Sequence, residues 1–239
     1  MKRVIRLSST FFMTQFFLTC LLPKISFSAE DHTVTGKKLY KHYCAQCHGS
    51  KGKGDGENSD YLSPPPADLT DKKEVYLGKM SNQEIYNVIA KGGMGTDKSP
   101  RMPFYGNTIS EYEMWTIVAY VRTLHPNQAE PVDFSGLSNK NPEPKEVSKV
   151  SIGEPSRKQA KKGKKLYKKF GCAGCHKAGK AKRGGESGPE LNGIASEVDA
   201  SEIFKTLKAP RLVRKRAKMP NFGLSDEEAL SLTHYLLSL

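Results

Sequence analysis

Cys44-Ala45-Gln46-Cys47-His48 returns, with one letter changed, as Cys172-Ala173-Gly174-Cys175-His176. Two cysteines three apart, with histidine directly after, form the attachment pattern of a c-type haem. Each thiol can add to a vinyl group of a porphyrin. The spacing then brings the next side chain beneath the iron, where imidazole is a good axial donor. One such pattern in 239 residues would read equally as half a zinc site or as chance. Two copies, each at the same place in a longer repeat, are hard to reach by accident. The expectation is two c-type haems, one on Cys44 and Cys47 and one on Cys172 and Cys175, with His48 and His176 as axial ligands.

Working outward, Gly36-Lys37-Lys38-Leu39-Tyr40-Lys41 recurs letter for letter as Gly163-Lys164-Lys165-Leu166-Tyr167-Lys168. Leu39, Tyr40 and Tyr43, like Leu166, Tyr167 and Phe170, stand at helical spacing. Each unit therefore opens with a short amphipathic helix that delivers its cysteines. Each also closes with one. Ser110 and Glu113 make a capping-box pattern before an apolar run from Met114 to Leu124, and Ser225 and Glu228 do so before Leu230 to Leu239. The two runs align without a gap, with Tyr120 on Tyr235, and their aromatics are expected to pack on the opening helices. The chain parses into an export segment (1–28), a first unit (29–127), a connector (128–155) and a second unit (156–239). The connector holds Pro131, Pro142, Pro144 and Pro155 and has linker composition. If extended, its ends would lie about 30 Å apart; packing along the interface between units is the alternative.

The sixth ligand decides what the iron does. No cysteine outside the motifs remains once the export segment has gone. His32, His42, His125 and His234 are the other histidines. His42 is too near its own motif to reach the opposite face, and His125 and His234 are expected at the surface. Met219 is the one methionine of the second unit, in Met219-Pro220-Asn221-Phe222-Gly223. The first unit has Met102-Pro103-Phe104-Tyr105-Gly106 in the same place, with Met94 in Gly92-Gly93-Met94-Gly95 as a competitor. A thioether is a soft, neutral donor suited to ferrous iron, and Met/His ligation leaves no open position. Proline and glycine stiffen the loop around the sulfur. A carbonyl from Pro64, Pro65 or Pro66, and one near Gly188-Pro189, is expected to accept from the second imidazole nitrogen of His48 and His176. The glycine-rich run Gly49–Gly56 follows no strand and lacks the Walker ending, so it reads as a turn against the haem edge.

The bulk numbers agree with small, polar units centred on a cofactor. Mean hydropathy is −0.57, and no run of 18 apolar residues exists to span a membrane. Lys2, Arg3 and Arg6 precede an apolar run from Phe11 to Leu22, followed by Ser26, Ser28 and Ala29. That is a secretory signal pattern, cut after Ser28 or Ala29. Cleavage takes four of the 38 basic side chains and none of the 25 acidic ones, lowering the formal net charge from +13 to +9.

Together these features resemble class I cytochrome c domains, duplicated as in two-haem cytochromes c. The resemblance covers roughly 34–125 and 157–239. It implies an all-α fold, with three to five helices around each haem, and export to the periplasm, where such haems are attached. It implies His48 and His176 as proximal ligands, with Met102 and Met219 distal. The first unit departs from the shorter pattern by an additional segment around Asp68 to Lys98. The expected role is a periplasmic carrier of single electrons rather than an enzyme. The alternatives are a haem subunit of a larger respiratory or dehydrogenase complex, or a haem redox enzyme such as a peroxidase or nitrite reductase. Eight lysines and arginines lie between Arg157 and Lys169, and further clusters follow His176 and precede Met219. Such charge would steer a redox partner with an acidic docking surface, or an anionic membrane surface. Export argues against nucleic acid.

Overall fold

The computed structural model describes residues 29–72, 77–125, 130–143, 146–147, 150–180, 183–215 and 217–239. The export segment read over residues 1–28 lies outside the described residues. The first unit contains α1 (Ala29–Tyr43), α2 (Ala45–His48), α3 (Asn82–Lys91) and α4 (Glu111–Leu124). The second contains α5 (Arg157–Lys169), α6 (Ala200–Lys208), α7 (Pro210–Val213) and α8 (Asp226–Leu236). The described residues contain no strand, only two isolated bridges. The all-α expectation holds.

Each unit is built around one helix crossing, α1 on α4 and α5 on α8. A glycine permits each approach. A Cβ on Gly36 would lie 1.9 Å from the Thr116 carbonyl oxygen, and one on Gly163 would lie 2.0 Å from that of Ser231. Beside each glycine, an aromatic pair fills the crossing as expected: Tyr40 with Tyr120 at 5.2 Å and Tyr167 with Tyr235 at 5.4 Å between ring centres. The opening-helix tyrosine then reaches forward to its motif. Tyr40 Oη donates to Gly49 O (2.9 Å), and Tyr167 Oη to His176 O (2.8 Å). Ile85, Ile89, Ile117 and Val118 complete the first core, and Ile203, Phe204, Leu207 and Leu232 the second. Each such side chain contributes about 1.5–3 kcal/mol when fully buried.

The helix starts follow from local chemistry. Capping boxes form at Ser110/Glu113 and Ser225/Glu228 as the sequence predicts, and a third at Ser81/Glu84 starts α3. Ser110 is buried and Ser225 exposed. Ser110→Ala is therefore expected to cost about 1–2 kcal/mol and Ser225→Ala less, because only the buried site leaves a helix N–H without water to replace the hydroxyl. Denaturant midpoints of the two variants check the order.

The described parts of the connector pack rather than float. Val132 joins the first core, and Val147, Val150 and Ile152 join the second. Phe134 stacks on His32 at 3.7 Å, and the Tyr112 N–H donates to Ser138 O at 3.1 Å. Two histidines expected at the surface are buried instead: His125 is 5% and His234 4% exposed. His125 Nε2 lies 3.2 Å from Asp71 O, and His234 Nδ1 accepts from the Ser156 N–H (3.4 Å) at the start of α5. These backbone groups draw both rings inward.

Candidate haem sites

In the first unit the motif rides on α2. In the second it forms a 3-10 turn, Cys172–Gly174, because an added Gly171 in the left-handed region (φ 67°) ends α5 first. Both turns close alike, with the His48 N–H on Cys44 O (2.9 Å) and the His176 N–H on Cys172 O (3.0 Å). The glycine-rich run folds back over the first motif through Gly54 N–H to His48 O (2.9 Å) and Gly56 N–H to Cys47 O (3.1 Å).

Each imidazole is oriented by a backbone carbonyl. His176 Nδ1 lies 2.8 Å from Pro189 O, as the Gly188-Pro189 pattern implied. His48 Nδ1 lies 3.1 Å from Ala67 O, which corrects the expectation of a proline acceptor there. The Pro66 carbonyl is instead turned onto Gly54, where a Cβ would meet it at 2.4 Å. A carbonyl only accepts, so Nδ1 carries the proton in both rings and Nε2 keeps its lone pair. Burial lowers the pKa of both imidazoles, partly offset by the same carbonyls. Burial favours the neutral imidazole, and the carbonyl fixes its proton on Nδ1, which leaves Nε2 to donate to a metal.

Cys44 and Met102 pack on the first core, and Cys172 and Met219 on the second. Met94 is 53% exposed. Its loop is pinned to the other methionine loop by the Gly93 N–H on Met102 O (2.9 Å). The four motif cysteines are free thiols. Burial pushes Cys44, Cys47 and Cys172 up to about 12 and also raises Cys175. Among the described residues no group of three or more His, Cys, Asp or Glu forms a metal-ion cluster.

The donor set fits a c-type haem in each unit. It offers two sulfurs for vinyl addition, an imidazole with a free Nε2 and a thioether on the same apolar core. Close backbone packing further fixes the second ring, since a Cβ on Gly188 would lie 2.5 Å from His176 Cε1.

The two sites meet at the contact between units. Phe104 and Asn221, each two residues past its Met, form an antiparallel bridge. Leu62 presses on the second motif, where a Cβ on Gly171 or Gly174 would lie 2.9 Å from it. Arg211 donates to Thr108 O across the same contact. Sequence reasoning did not find Asn58, which is completely buried here. An asparagine in a polar loop carries no signal of such a position.

Two helical units that each join a CxxCH turn to a Met-Pro loop over one core define tandem class I cytochrome c domains. Residues 32–121 match the family described as cytochrome c oxidase, cbb3-type, subunit III, and residues 160–239 match the cytochrome c family. The chain thus carries two cytochrome c-type domains in tandem. Domains of this kind bind c-type haem and support haem-based electron transfer. No curated protein matches the chain. Among solved structures, a chain of the Kuenenia stuttgartiensis reducing HAO-like protein complex Kustc0457/Kustc0458 is similar, at 22% identity and a TM-score of 0.34 over 85% of this chain and 94% of that one. Among the described residues no helix is long and apolar enough to cross a membrane.

Proposed function

We propose that the protein is an exported, periplasmic carrier of single electrons that holds two c-type haems. Cys44 and Cys47 anchor one, with His48 and Met102 as axial ligands. Cys172 and Cys175 anchor the other, with His176 and Met219. One observation carries the reading: in each unit a backbone carbonyl occupies one imidazole nitrogen, leaving the other free, while a methionine packs on the same core as the motif. When bound, the haem supplies a reversible one-electron change. The chain's own part is to hold the donors. Ala67 and Pro189 fix the imidazoles, and the Met-Pro loops hold the thioethers against the two cores. With His48 and Met102 holding one iron and His176 and Met219 the other, each site would relay an electron and would offer no place for a substrate.

The partner face follows from charge. Arg157, Lys161, Lys164 and Lys168 form one exposed stripe on α5. On its flank, Lys162 and Lys169 pair with Glu227 and Glu228. No acidic residue lies within α5. An acidic redox protein fits this stripe. An anionic membrane surface would meet the same charges, and vesicle binding separates the two. The match of residues 32–121 to a family named for an oxidase subunit favours a second reading, in which the chain serves as a haem subunit of a larger complex.

The reduced alkaline-pyridine spectrum is expected to report two c-type haems per chain. Carbon monoxide is expected to bind the reduced protein poorly. One haem or none overturns the two-haem reading, and rapid, complete carbon monoxide binding at one haem overturns the carrier in favour of an enzyme. Copurification under mild conditions distinguishes a free carrier from a complex subunit.

A further inference from the structure

Asn58 belongs to the first domain but its side chain works in the second. Its backbone N–H donates to Gln46 O (2.9 Å), inside the first motif. Its amide then crosses the contact. Asn58 Nδ2 lies 3.4 Å from Cys175 Sγ and donates to Ser187 Oγ at 3.0 Å, while Ser187 Oγ lies 3.4 Å from Asn58 Oδ1. Gly185 leaves the room, since a Cβ there would stand 2.5 Å from Asn58 Oδ1. One buried amide of the first domain thus reaches the second cysteine of the second motif.

The bridge runs one way. Ten residues after His48 stands Asn58; ten after His176 stands Glu186, which is exposed and paired with Lys177. Packing alone does not account for an amide here, because a buried amide needs its hydrogen bonds met, and an apolar side chain of similar size would fill the same space.

We propose that Asn58 is a positioning residue for the second haem-attachment site, so that the first domain sets the reduction potential of the haem on Cys172 and Cys175. The proposal rests on the two-haem reading above. Cys175 Sγ is a free thiol in this structure; in the loaded protein the same atom is a thioether sulfur, a weak acceptor. Asn58 turns the positive end of its N–H dipole toward that sulfur. Reduction adds one negative charge to the site, and a buried fixed dipole of that orientation favours the reduced form. Loss of the amide therefore lowers the second potential.

The test uses the full haem-loaded chain carrying Asn58→Leu or Ser187→Ala. The pyridine spectrum is read first. A wild-type chain without two haems removes the underlying reading, and this is distinguishable from failure of the proposal itself. Spectroelectrochemical titration is read second. Asn58→Leu is expected to shift one reduction equilibrium about fivefold toward the oxidised form, ~40 mV at 59 mV per decade for a one-electron couple. The other midpoint moves less. Ser187→Ala, which loosens the amide without removing it, is expected to move the same midpoint by a smaller amount. If Asn58→Leu does not fold, Ser187→Ala alone decides. Wild-type midpoints in a variant that keeps both haems overturn the proposal, even where stability falls, because the role is then structural only.

Discussion

Gly163→Ala is expected to lower the unfolding free energy by about 2–3 kcal/mol, although alanine is the better helix former by about 1 kcal/mol. The reason is the crossing of α5 and α8. The added Cβ would stand 2.0 Å from Ser231 O, 2.6 Å from Ser231 C and 2.7 Å from Tyr235 Cβ. The first two are backbone atoms, and no rotamer change moves them. The helices must separate, which loosens the Tyr167–Tyr235 pair and the core below it. Gly36→Ala faces the same obstacle at Thr116 and should behave alike. Gly95→Ala is the milder comparison: its Cβ would meet Lys91 Cβ at 2.8 Å, but in an exposed turn rather than a helix crossing, so the loss should be smaller. Chemical denaturation of the haem-loaded variants measures all three. A second readout follows from connectivity. Because only two residues separate the end of α5 from Cys172, Gly163→Ala should also weaken the far-red sulfur-to-iron band. An unchanged or more stable Gly163→Ala would show that this crossing does not limit the second domain.

That crossing was legible in the letters. Gly36 and Gly163 stand at the same place in a six-residue repeat, and Tyr40 and Tyr167 follow at the same distance. The capping boxes at Ser110 and Ser225 were legible for the same reason, since short-range patterns carry their own geometry. The same pattern at Ser81 and Glu84 went unread, within the segment that departs from the shorter repeat. Long-range choices were less accessible. Ala67 rather than a neighbouring proline orients His48 because Pro66 faces Gly54, and that depends on how two loops meet. His234 turned inward because α8 is covered by both α5 and α6, leaving Ser231 to Leu236 all buried. Periodicity marks one apolar stripe and says nothing of a second covering helix. The connector's composition allowed either a free or a packed course; Val147, Val150 and Ile152, too few for a period, chose the packed one. Asn58 lay beyond any pattern, since its role exists only where two domains meet.

Met219→His is expected to lower one of two reduction potentials on the order of 0.1 V, within the roughly 0.8 V that axial ligation spans. Thioether sulfur is neutral and soft and favours the ferrous state, whereas imidazole is more basic and favours the ferric. The far-red sulfur-to-iron band should fall to about half of its intensity, because one sulfur of two has gone. Met102→His should do the same to the other potential, and the double variant should abolish the band. Met94→Leu separates the first-domain candidates. Met94 is more than half exposed, while Met102 lies on the core that also holds Cys44. The variant should therefore leave both band and potentials unchanged. For Met94 to be the ligand, its turn would have to move inward, and the Gly93 N–H on Met102 O together with Thr96 Oγ1 on Gly92 O (2.9 Å) holds it where it is. A halved band in Met94→Leu with a normal band in Met102→His would mean that this turn closes over the haem. Met219 has no such rival, being the one methionine of its domain. An unchanged potential in Met219→His would leave the second iron without a sulfur ligand, and with an open position the carrier reading would give way to an enzyme.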